Sequence, residues 1–400
     1  MPVTQVISGC GAVMLMTLLA LRPPRPRRST PFTLSFFLTF LINEQPFLAL
    51  YVLAAGAVPP LLAGETGTRS WWLGAGVAAG TAAGVLWLAV RTRTARPRLT
   101  AALRRALGPQ AVPQRRRHGL RRLVRLLVLP LISYRFTVRR AADVRYGDGG
   151  RGHLLDVYLP RSGTRSAPVL VYLHGGGFRF GSKMIGARPL FYRLAGRGWV
   201  CVSANYRLGR GLDHADRLAD ARQVLRWVRE NAAAYGADPT AVFLAGGSAG
   251  AHLASMTALT APSVPDPPDG EERDTAVAGV IGFYGYYGQA DSRADSTPLA
   301  HLRPDAPPFL IVHGTLDTLV LVEDARQFAS ELGRVSTRPV AYAELPGTQH
   351  AFDLFPSLRF HAVTDAVEDF TAWVRANGPA APTDRGTTSP GQDGDPPPRR

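Results

Sequence analysis

Cysteine is scarce in this chain of 400 residues, in which only Cys10 and Cys201 occur. The two lie far apart and in no metal-ligand spacing, so we expect neither a disulfide framework nor a cysteine-based zinc site. Charged residues are also few, at 19%, against 46% hydrophobic residues. This balance argues against intrinsic disorder, and the length allows two or three domains, one of them with a sizeable core.

Acidic residues are almost missing from the first 140 positions, which contain 20 Arg, no Lys and only Glu44 and Glu65. The remaining 260 residues contain 26 basic and 28 acidic side chains, so the formal net charge of +16 arises in the first part. A nucleic-acid-binding surface needs a basic face with groups that read or stack on bases, whereas these arginines flank long apolar runs. We therefore expect a membrane, and not nucleic acid, as the partner.

Three apolar runs precede residue 91. Residues 3–21 and 71–90 carry no charge, and each is long enough as a helix to span a hydrocarbon core of about 30 Å. Residues 32–63 are interrupted by a polar stretch at 43–46 and predict either an interfacial segment followed by a span or one long kinked helix. We place Glu44 at an interfacial break and expect a transmembrane region of about three helices over residues 1–90.

Arginine clusters follow the first and third runs and predict the orientation of the chain. They are Arg22, Arg25, Arg27 and Arg28, and Arg91, Arg93, Arg96 and Arg98. Basic loops stay in the cytoplasm, so we expect the amino terminus outside and the chain after residue 91 in the cytoplasm. No cleaved signal peptide is expected, because the positive charge follows the first apolar run. The prediction is a multi-pass protein of the cell membrane.

Two further segments flank the main domain. Residues 91–137 interleave Arg with Leu and Val and form a basic, amphipathic, membrane-proximal segment. It predicts either a helix in the membrane interface or a solvated linker helix. Residues 379–400 are rich in Pro, Gly and Asp without apolar periodicity, and we expect them to be disordered.

Short apolar strands alternate with helical patterns over residues 138–378. The predicted strands are 155–159, 169–173, 200–204, 241–244, 277–283, 309–312 and 340–344, and the predicted helices include 189–195, 213–235 and 322–332. This alternation predicts an α/β domain with a mostly parallel central sheet and helices on both faces. Chemistry is then expected at the carboxyl ends of the strands.

The strongest motif is Gly246-Gly247-Ser248-Ala249-Gly250, which lies directly between a predicted strand and a helical pattern. A sharp strand-to-helix turn exposes the serine oxygen, and small neighbours let the turn close. By itself, the motif is also compatible with an ordinary glycine-rich connection. Its strand-to-helix context favours a nucleophile.

A second glycine-rich loop, His174-Gly175-Gly176-Gly177, follows the strand at 169–173. A loop without side chains exposes backbone N–H groups that can stabilise a developing oxyanion. A phosphate cradle is disfavoured, since no Lys-Ser/Thr pair follows. His174 is expected to support the loop.

A serine nucleophile needs a base and a group that orients the base. Asp317 follows the strand at 309–312, and His350 follows the strand at 340–344. The order Ser, Asp, His, each after a successive strand, is typical of this architecture and not of the two common serine protease folds. A lone surface histidine is the plain alternative for His350, and the joint occurrence of the motifs opposes it.

On these residues the chain resembles the α/β-hydrolase esterases of the hormone-sensitive lipase type and the similar bacterial carboxylesterases. The matching positions are His174 to Gly177, Tyr206-Arg207-Leu208, Gly246 to Gly250, Asp317 and His350. The resemblance implies Ser248 as nucleophile, His350 as general base and Asp317 as its orienter. It implies an oxyanion hole formed by the N–H groups of Gly176, Gly177 and Ala249, with His174, Gly175, Gly246, Gly250 and Tyr206 as supporting residues.

The chain departs from the family pattern beside Tyr206, where Asn205 replaces a frequent Asp and Gly209-Arg210-Gly211 replaces Ala-Pro-Glu. In place of the helical cap that is common in the family stands the basic segment. We expect residues 118–137 to cover part of the site and open it toward the bilayer.

These features together predict a membrane-anchored serine esterase that forms an acyl-enzyme. The expected substrate is a small-molecule or lipid ester with a short to medium acyl chain, and no cofactor or metal is expected. Hydrolysis of another acyl bond, in an amide, formamide or acetylated sugar, and a non-catalytic binding role are the alternatives. The sequence leaves the oligomeric state open.

Overall fold

The computed structural model describes residues 3–21, 30–64, 67–112, 120–209, 211–261 and 275–378. The basic loop at residues 22–28 and the tail at 379–400, which is expected to be disordered, lie outside the described residues.

In the described part of the chain, eight strands form one sheet in the order β1-β2-β4-β3-β5-β6-β7-β8. They are β1 (Val138–Arg145), β2 (Leu154–Pro160), β3 (Ala167–Leu173), β4 (Val200–Ala204), β5 (Ala237–Gly247), β6 (Gly279–Phe283), β7 (Phe309–Gly314) and β8 (Val340–Leu345). Strands β1 and β2 pair antiparallel, as do β2 and β4, while β3 to β8 are parallel. The predicted mostly parallel sheet is confirmed. Strand β1 was not predicted, because Val138 is its one buried residue and it has no apolar run.

Helices cover both faces of the sheet. They are α5 (Ala95–Leu107), α7 (Arg188–Ala195), α8 (His214–Asn231), α9 (Ala249–Leu259), α10 (Val322–Val335) and α11 (Leu358–Asn377), whereas α6 (Leu120–Val128) lies between α5 and β1 in the chain. Strand β3 shows how the two cores form, since successive side chains point to opposite faces. Leu170 and Tyr172 pack in the core with α5, α7 and α11, whereas Val169 and Val171 pack in the core with α8, α9 and α10.

Helix α5 belongs to the core of the sheet domain. It packs on β8 and α11, and its Leu99 and Leu103 are buried. The core therefore begins well before residue 138, where the sequence had suggested that the catalytic domain starts. The basic residues of this segment, such as Arg104, lie on the exposed side of α5.

Four helices precede the sheet: α1 (Val3–Leu21), α2 (Thr30–Glu44), α3 (Pro46–Leu62) and α4 (Arg69–Arg91). Among the described residues, one helix is both long and apolar enough to cross a membrane, and it runs from Trp71 to Leu107 through α4, a 3₁₀ turn at Thr92–Thr94 and α5.

The expectation of about three spanning helices needs correction. Helices α2 and α3 are bent by 91° at their junction, so they form at most one broken span, and the stretch of α1 whose side chains are described, Gly11–Leu21, is shorter than a span. The structure therefore does not support a multi-pass arrangement. The bend lies at the polar stretch of residues 43–46, where a kinked helix is one of the two predicted alternatives, and Pro46 removes a backbone donor there.

We predict that Leu103→Ala lowers the free energy of unfolding by about 2–5 kcal/mol, because it opens a cavity in a core that α5 shares with the sheet. Denaturant unfolding of the detergent-solubilised chain measures the effect. Arg104→Ala, at an exposed position on the same helix, should change the free energy by no more than about 0.5 kcal/mol. Equal stability of the two variants would show that α5 does not belong to the core.

Candidate active site

Ser248 occupies a strained turn between β5 and α9. Its backbone has φ 55° and ψ −120°, a region that non-glycine residues rarely adopt. The turn is held from below, because the Ser248 N–H donates to the carbonyl of Phe283 at the end of β6, at 3.0 Å. The serine side chain therefore projects from the carboxyl end of the sheet, as a strand-to-helix turn for a nucleophile requires.

Two glycines make this turn possible. A Cβ on Gly246 would lie 2.3 Å from the carbonyl carbon of Gly250, and a Cβ on Gly250 would lie 2.0 Å from the carbonyl oxygen of Leu173. Neither distance leaves room for a side chain, so the start of α9 can cross β3 at this point only because both residues are glycine.

The loop at residues 174–177 runs beside the serine. A Cβ on Gly175 would lie 3.1 Å from the Cβ of Ser248, so the loop backbone contacts the turn directly. Within the described residues, no hydrogen bond occupies the N–H groups of Gly176, Gly177 or Ala249. These three donors are therefore available to an oxyanion at the carboxyl end of the sheet.

His174 and Tyr206 support this loop from beneath. Their rings stack at 4.5 Å, the Tyr206 hydroxyl donates to the His174 carbonyl at 2.8 Å, and the His174 Nδ1–H donates to the carbonyl of Gly175 at 2.8 Å. Burial lowers the pKa of His174 to about 4, so the imidazole is neutral at pH 7. His174 therefore packs beneath the loop as a neutral side chain.

Asn205, one of the departures from the family pattern, forms two hydrogen bonds through its side chain. Its side-chain oxygen accepts the N–H of Lys183 at 2.6 Å, and its amide donates to the carbonyl of Arg151 at 2.8 Å. An amide can accept one bond and donate the other, which a carboxylate cannot do.

Asp317 and His350 meet across the loops that follow β7 and β8. The His350 Nδ1–H donates to Asp317 Oδ2 at 2.7 Å, and both side chains are buried. The other carboxylate oxygen accepts the N–H groups of Leu319 at 2.9 Å and Val320 at 2.8 Å. Burial raises the pKa of the Asp317 carboxyl, but the neighbouring His350 and His313 outweigh it and hold that pKa well below its usual range. The aspartate is therefore ionised and can orient the imidazole.

Tyr284, which sequence analysis did not identify, connects the serine and the histidine. It follows Phe283, whose carbonyl holds the serine turn, and its ring lies 4.5 Å from the His350 ring. Its hydroxyl donates to buried Asp353, which also accepts from the Tyr172 hydroxyl at 2.7 Å. No sequence signal distinguishes Tyr172 and Tyr284, since aromatic residues in a strand or directly after one are ordinary core residues.

The segment expected to cover the site, residues 118–137, reaches the loop after β8 through Leu126, which lines a small cavity with Pro356 and Ser357, and its other described contacts lie elsewhere. The Tyr51 hydroxyl of α3 donates to the carbonyl of Leu127 at 2.6 Å, and the Tyr134 ring packs on Tyr192 of α7 at 5.7 Å. The ring that lies against His350 is Phe36 of α2, at 6.2 Å and nearly perpendicular.

Within the described ranges, no group of three or more His, Cys, Asp or Glu could hold a metal ion. One large cavity lies away from the site. A cavity of about 860 Å³ is lined by residues such as Arg229, Arg303 and Trp373. It lies at the amino ends of β5 to β8, opposite the serine and the histidine.

Comparisons with known proteins agree with the resemblance drawn from the motifs. A sequence model of the family described as BD-FAE matches residues 155–291. The probable carboxylic ester hydrolase LipM of Mycobacterium tuberculosis is 35% identical over 86% of this chain and 87% of LipM. The esterase LipQ of the same organism is 34% identical over 61% of this chain and 65% of LipQ.

The solved structures include a similar esterase. Est2 of the planctomycete Thermogutta terrifontis, with propionate bound, is 26% identical at a TM-score of 0.52, over 62% of this chain and 97% of Est2. The share matched by LipM exceeds what residues 138–400 could provide, so that similarity includes part of the amino-terminal helices. The predicted resemblance to esterases of the α/β-hydrolase fold is confirmed.

We predict that acid weakens the fold through buried histidines. Burial, together with the neighbouring His214, lowers the pKa of His252 on α9 to about 3. A lowered pKa in the folded state means that the stability contributed by the neutral ring is complete above about pH 6.5 and is lost as the pH falls toward the folded value. The free energy of unfolding should therefore decrease on acidification from pH 7 to pH 4.5.

His252→Gln isolates this contribution. The difference in unfolding free energy between the wild type and the variant should shrink as the pH falls, because only the wild type has this imidazole to protonate. Thermal unfolding at a series of pH values measures it. A difference that stays constant from pH 7 to pH 4.5 would contradict the assignment.

Proposed function

Because this chain belongs to the carboxylic ester hydrolases of the α/β-hydrolase fold, we propose that it cleaves esters with Ser248, His350 and Asp317 as its catalytic triad. The observation that carries the proposal is the buried hydrogen bond of 2.7 Å between His350 and Asp317. It lies at the carboxyl end of the sheet, where the strained Ser248 turn also lies. The free N–H groups of Gly176, Gly177 and Ala249 support an oxyanion hole beside them.

The first half-reaction acylates the serine. Ser248 Oγ attacks the ester carbonyl carbon while His350 Nε2 accepts the hydroxyl proton, and Asp317 stabilises the imidazolium that forms. The three backbone donors hold the negative oxygen of the tetrahedral intermediate, where a single donor is worth about 10²–10³ in rate. His350 then protonates the leaving alcohol as the bond between the carbonyl carbon and the alcohol oxygen breaks.

The second half-reaction returns the free enzyme. A water molecule gives a proton to His350 and attacks the acyl carbon. The second tetrahedral intermediate then collapses: the bond from the acyl carbon to Ser248 Oγ breaks, His350 returns the proton to that oxygen, and the carboxylic acid leaves. The propionate and butyrate bound to Est2 favour short acyl chains as the first candidates for the acyl group.

The exposed apolar surface of α4 supports a membrane anchor. Leu73 is 73% exposed and Trp87 is 61% exposed, which is costly in water and favourable in a bilayer. The helix from Arg69 to Arg91 has 23 residues, about 35 Å, enough to cross the hydrocarbon core. We infer one membrane span at α4. The arginines that follow α4 lie on the cytoplasmic side in this orientation, and the catalytic domain therefore lies there as well.

The segment after α6 extends this surface. Val128, Leu129, Leu131, Ile132 and Phe136 are large apolar side chains with high exposure. Their exposure, next to the arginines of α6, favours an interfacial position for this segment, with apolar side chains in the bilayer and arginines at the headgroups.

The test of the triad is hydrolysis of p-nitrophenyl esters from acetate to palmitate by the detergent-purified chain. We expect Ser248→Ala to lose about four or more orders of magnitude in kcat, because triad members act as a unit. The matched control is Ser255→Ala, about two turns further along α9, whose buried Oγ has no hydrogen-bond partner among the described residues. Full activity of Ser248→Ala would reject the triad. Activity on amides or acetylated sugars but not on esters would reject the substrate class.

The orientation is tested with one accessible cysteine. In a Cys10→Ser background, Arg161→Cys places a thiol at an exposed position of the catalytic domain, while buried Cys201 serves as the unreactive internal control. We expect a membrane-impermeant maleimide to label this thiol only after the cells are permeabilised. Labelling of intact cells would place the domain outside.

A further inference from the structure

The junction of α2 and α3 lies on the loop that carries His350. This loop, residues 346–357, connects β8 to α11 and is named the histidine loop here. The Gln45 side-chain amide donates to the carbonyl of Pro356 at 2.9 Å, and the Ser357 hydroxyl lies 3.4 Å from Glu44 Oε2. Phe40 of α2 also packs against Phe355, with the rings 6.0 Å apart. The junction therefore covers the second half of the loop.

An ion pair between Glu44 and Arg359 is the strongest contact of this junction. Both side chains are almost fully buried, at 3% and 1% exposure. Arg359 also donates to the carbonyl of Asn43 at 3.2 Å. Arg359 lies in the first turn of α11, where the helix dipole disfavours a cation, so the guanidinium depends on the Glu44 carboxylate for compensation.

The first half of the histidine loop is held by Arg91 at the end of α4. Its guanidinium donates to the carbonyl of Gly347 at 3.1 Å and to the side-chain oxygen of Asn43 at 3.3 Å. Asn43 therefore links the two attachments. The amino-terminal helices therefore contact the loop on both sides of His350: at Gly347, three residues before it, and from Phe355, five residues after it, onward.

The catalytic domain also holds the middle of the histidine loop. Asp317 holds Nδ1 and Tyr284 packs on the ring, while the Leu316 N–H donates to the carbonyl of Thr348 at 3.0 Å and the Gly347 N–H donates to Thr315 Oγ1 at 2.9 Å. The amino-terminal helices α2, α3 and α4 supply the further attachments at the two ends of the loop.

We propose that Glu44 is a positioning residue for the reaction: through Arg359, it holds the histidine loop so that His350 Nε2 meets the serine hydroxyl. The proposal rests on the triad proposed above. The amino-terminal helices then act in catalysis as well as in anchoring. Small errors in such a placement are costly, since a displacement of about 1 Å from a distant substitution can reduce a rate about 10²-fold.

The test compares Glu44→Gln with Glu368→Gln in the full-length chain in detergent. Glu368 is a matched control, because it is a buried carboxylate on the same helix, α11, and is paired with Arg193 and Arg197 away from the histidine loop. Both variants remove one partner of a buried ion pair, so both are expected to lower Tm. Activity on p-nitrophenyl butyrate is measured below both transitions and divided by the folded fraction.

We expect Glu44→Gln to lower kcat about 10- to 100-fold with KM nearly unchanged, because it moves the general base and leaves the groups that contact substrate in place. Glu368→Gln should keep kcat within about twofold of the wild type. A normal kcat for Glu44→Gln, or an equal loss in both variants, would overturn the proposal.

A second variant covers the case in which Glu44→Gln does not fold. Glu44→Met with Arg359→Met replaces the buried pair by apolar side chains of similar length, which often restores stability. A restored Tm with kcat still reduced supports positioning, whereas recovery of both would show that the pair only stabilises the fold. Ser248→Ala, assayed in parallel, separates this result from the triad itself: activity without the serine would reject the triad whatever Glu44 does.

Discussion

The close approach of Gly250 to the backbone of β3 is the constraint on which the site depends. A Cβ at this position would lie 2.0 Å from the Leu173 carbonyl oxygen and 2.6 Å from that of His174. Because α9 begins so close to the end of β3, the glycine loop that follows β3 contacts the serine turn, and the free backbone donors lie beside the serine. The strain at Ser248 is sustained by the buried strands on either side and by the bond from its N–H to β6.

Behind the serine and the histidine lies a buried polar layer formed by Asp353 and two tyrosines. Burial raises the pKa of the Asp353 carboxyl, while hydrogen bonds from the Tyr284 and Tyr172 hydroxyls and from the Ala187 N–H oppose that rise. A fully bonded polar cluster specifies one packing arrangement more strictly than an apolar contact does. Because the Tyr284 ring packs on the His350 ring, this cluster supports the imidazole rigidly.

The parts of the site that are local in sequence could be predicted, and those that depend on distant contacts could not. Gly246 to Gly250 and His174 to Gly177 are read from consecutive residues whose turn chemistry does not depend on the rest of the fold. Strand β1 was missed because an edge strand with arginines facing solvent lacks an apolar pattern. The contacts of Phe36, Glu44 and Arg91 with the histidine loop bridge more than 250 residues, and no local pattern encodes them. Hydropathy overcounted the spans because it scores the apolar content of a run and not its direction: the break at residues 43–46 is visible in the sequence, whereas its angle of 91° is not.

With α4 as the proposed span, the helix from Trp71 to Leu107 would make the enzyme sensitive to the thickness of its bilayer. Its first half is the proposed span, its second half is embedded in the core, and Arg91 between them bonds to the histidine loop. A flexible linker would let the span tilt freely, whereas this helix transmits a tilt to the domain as a rotation. Hydrophobic mismatch is relieved by tilting, so a thinner or thicker membrane would change the height and angle at which the serine faces the lipid headgroups. Lipid composition would then regulate the reaction mechanically, with no effector bound.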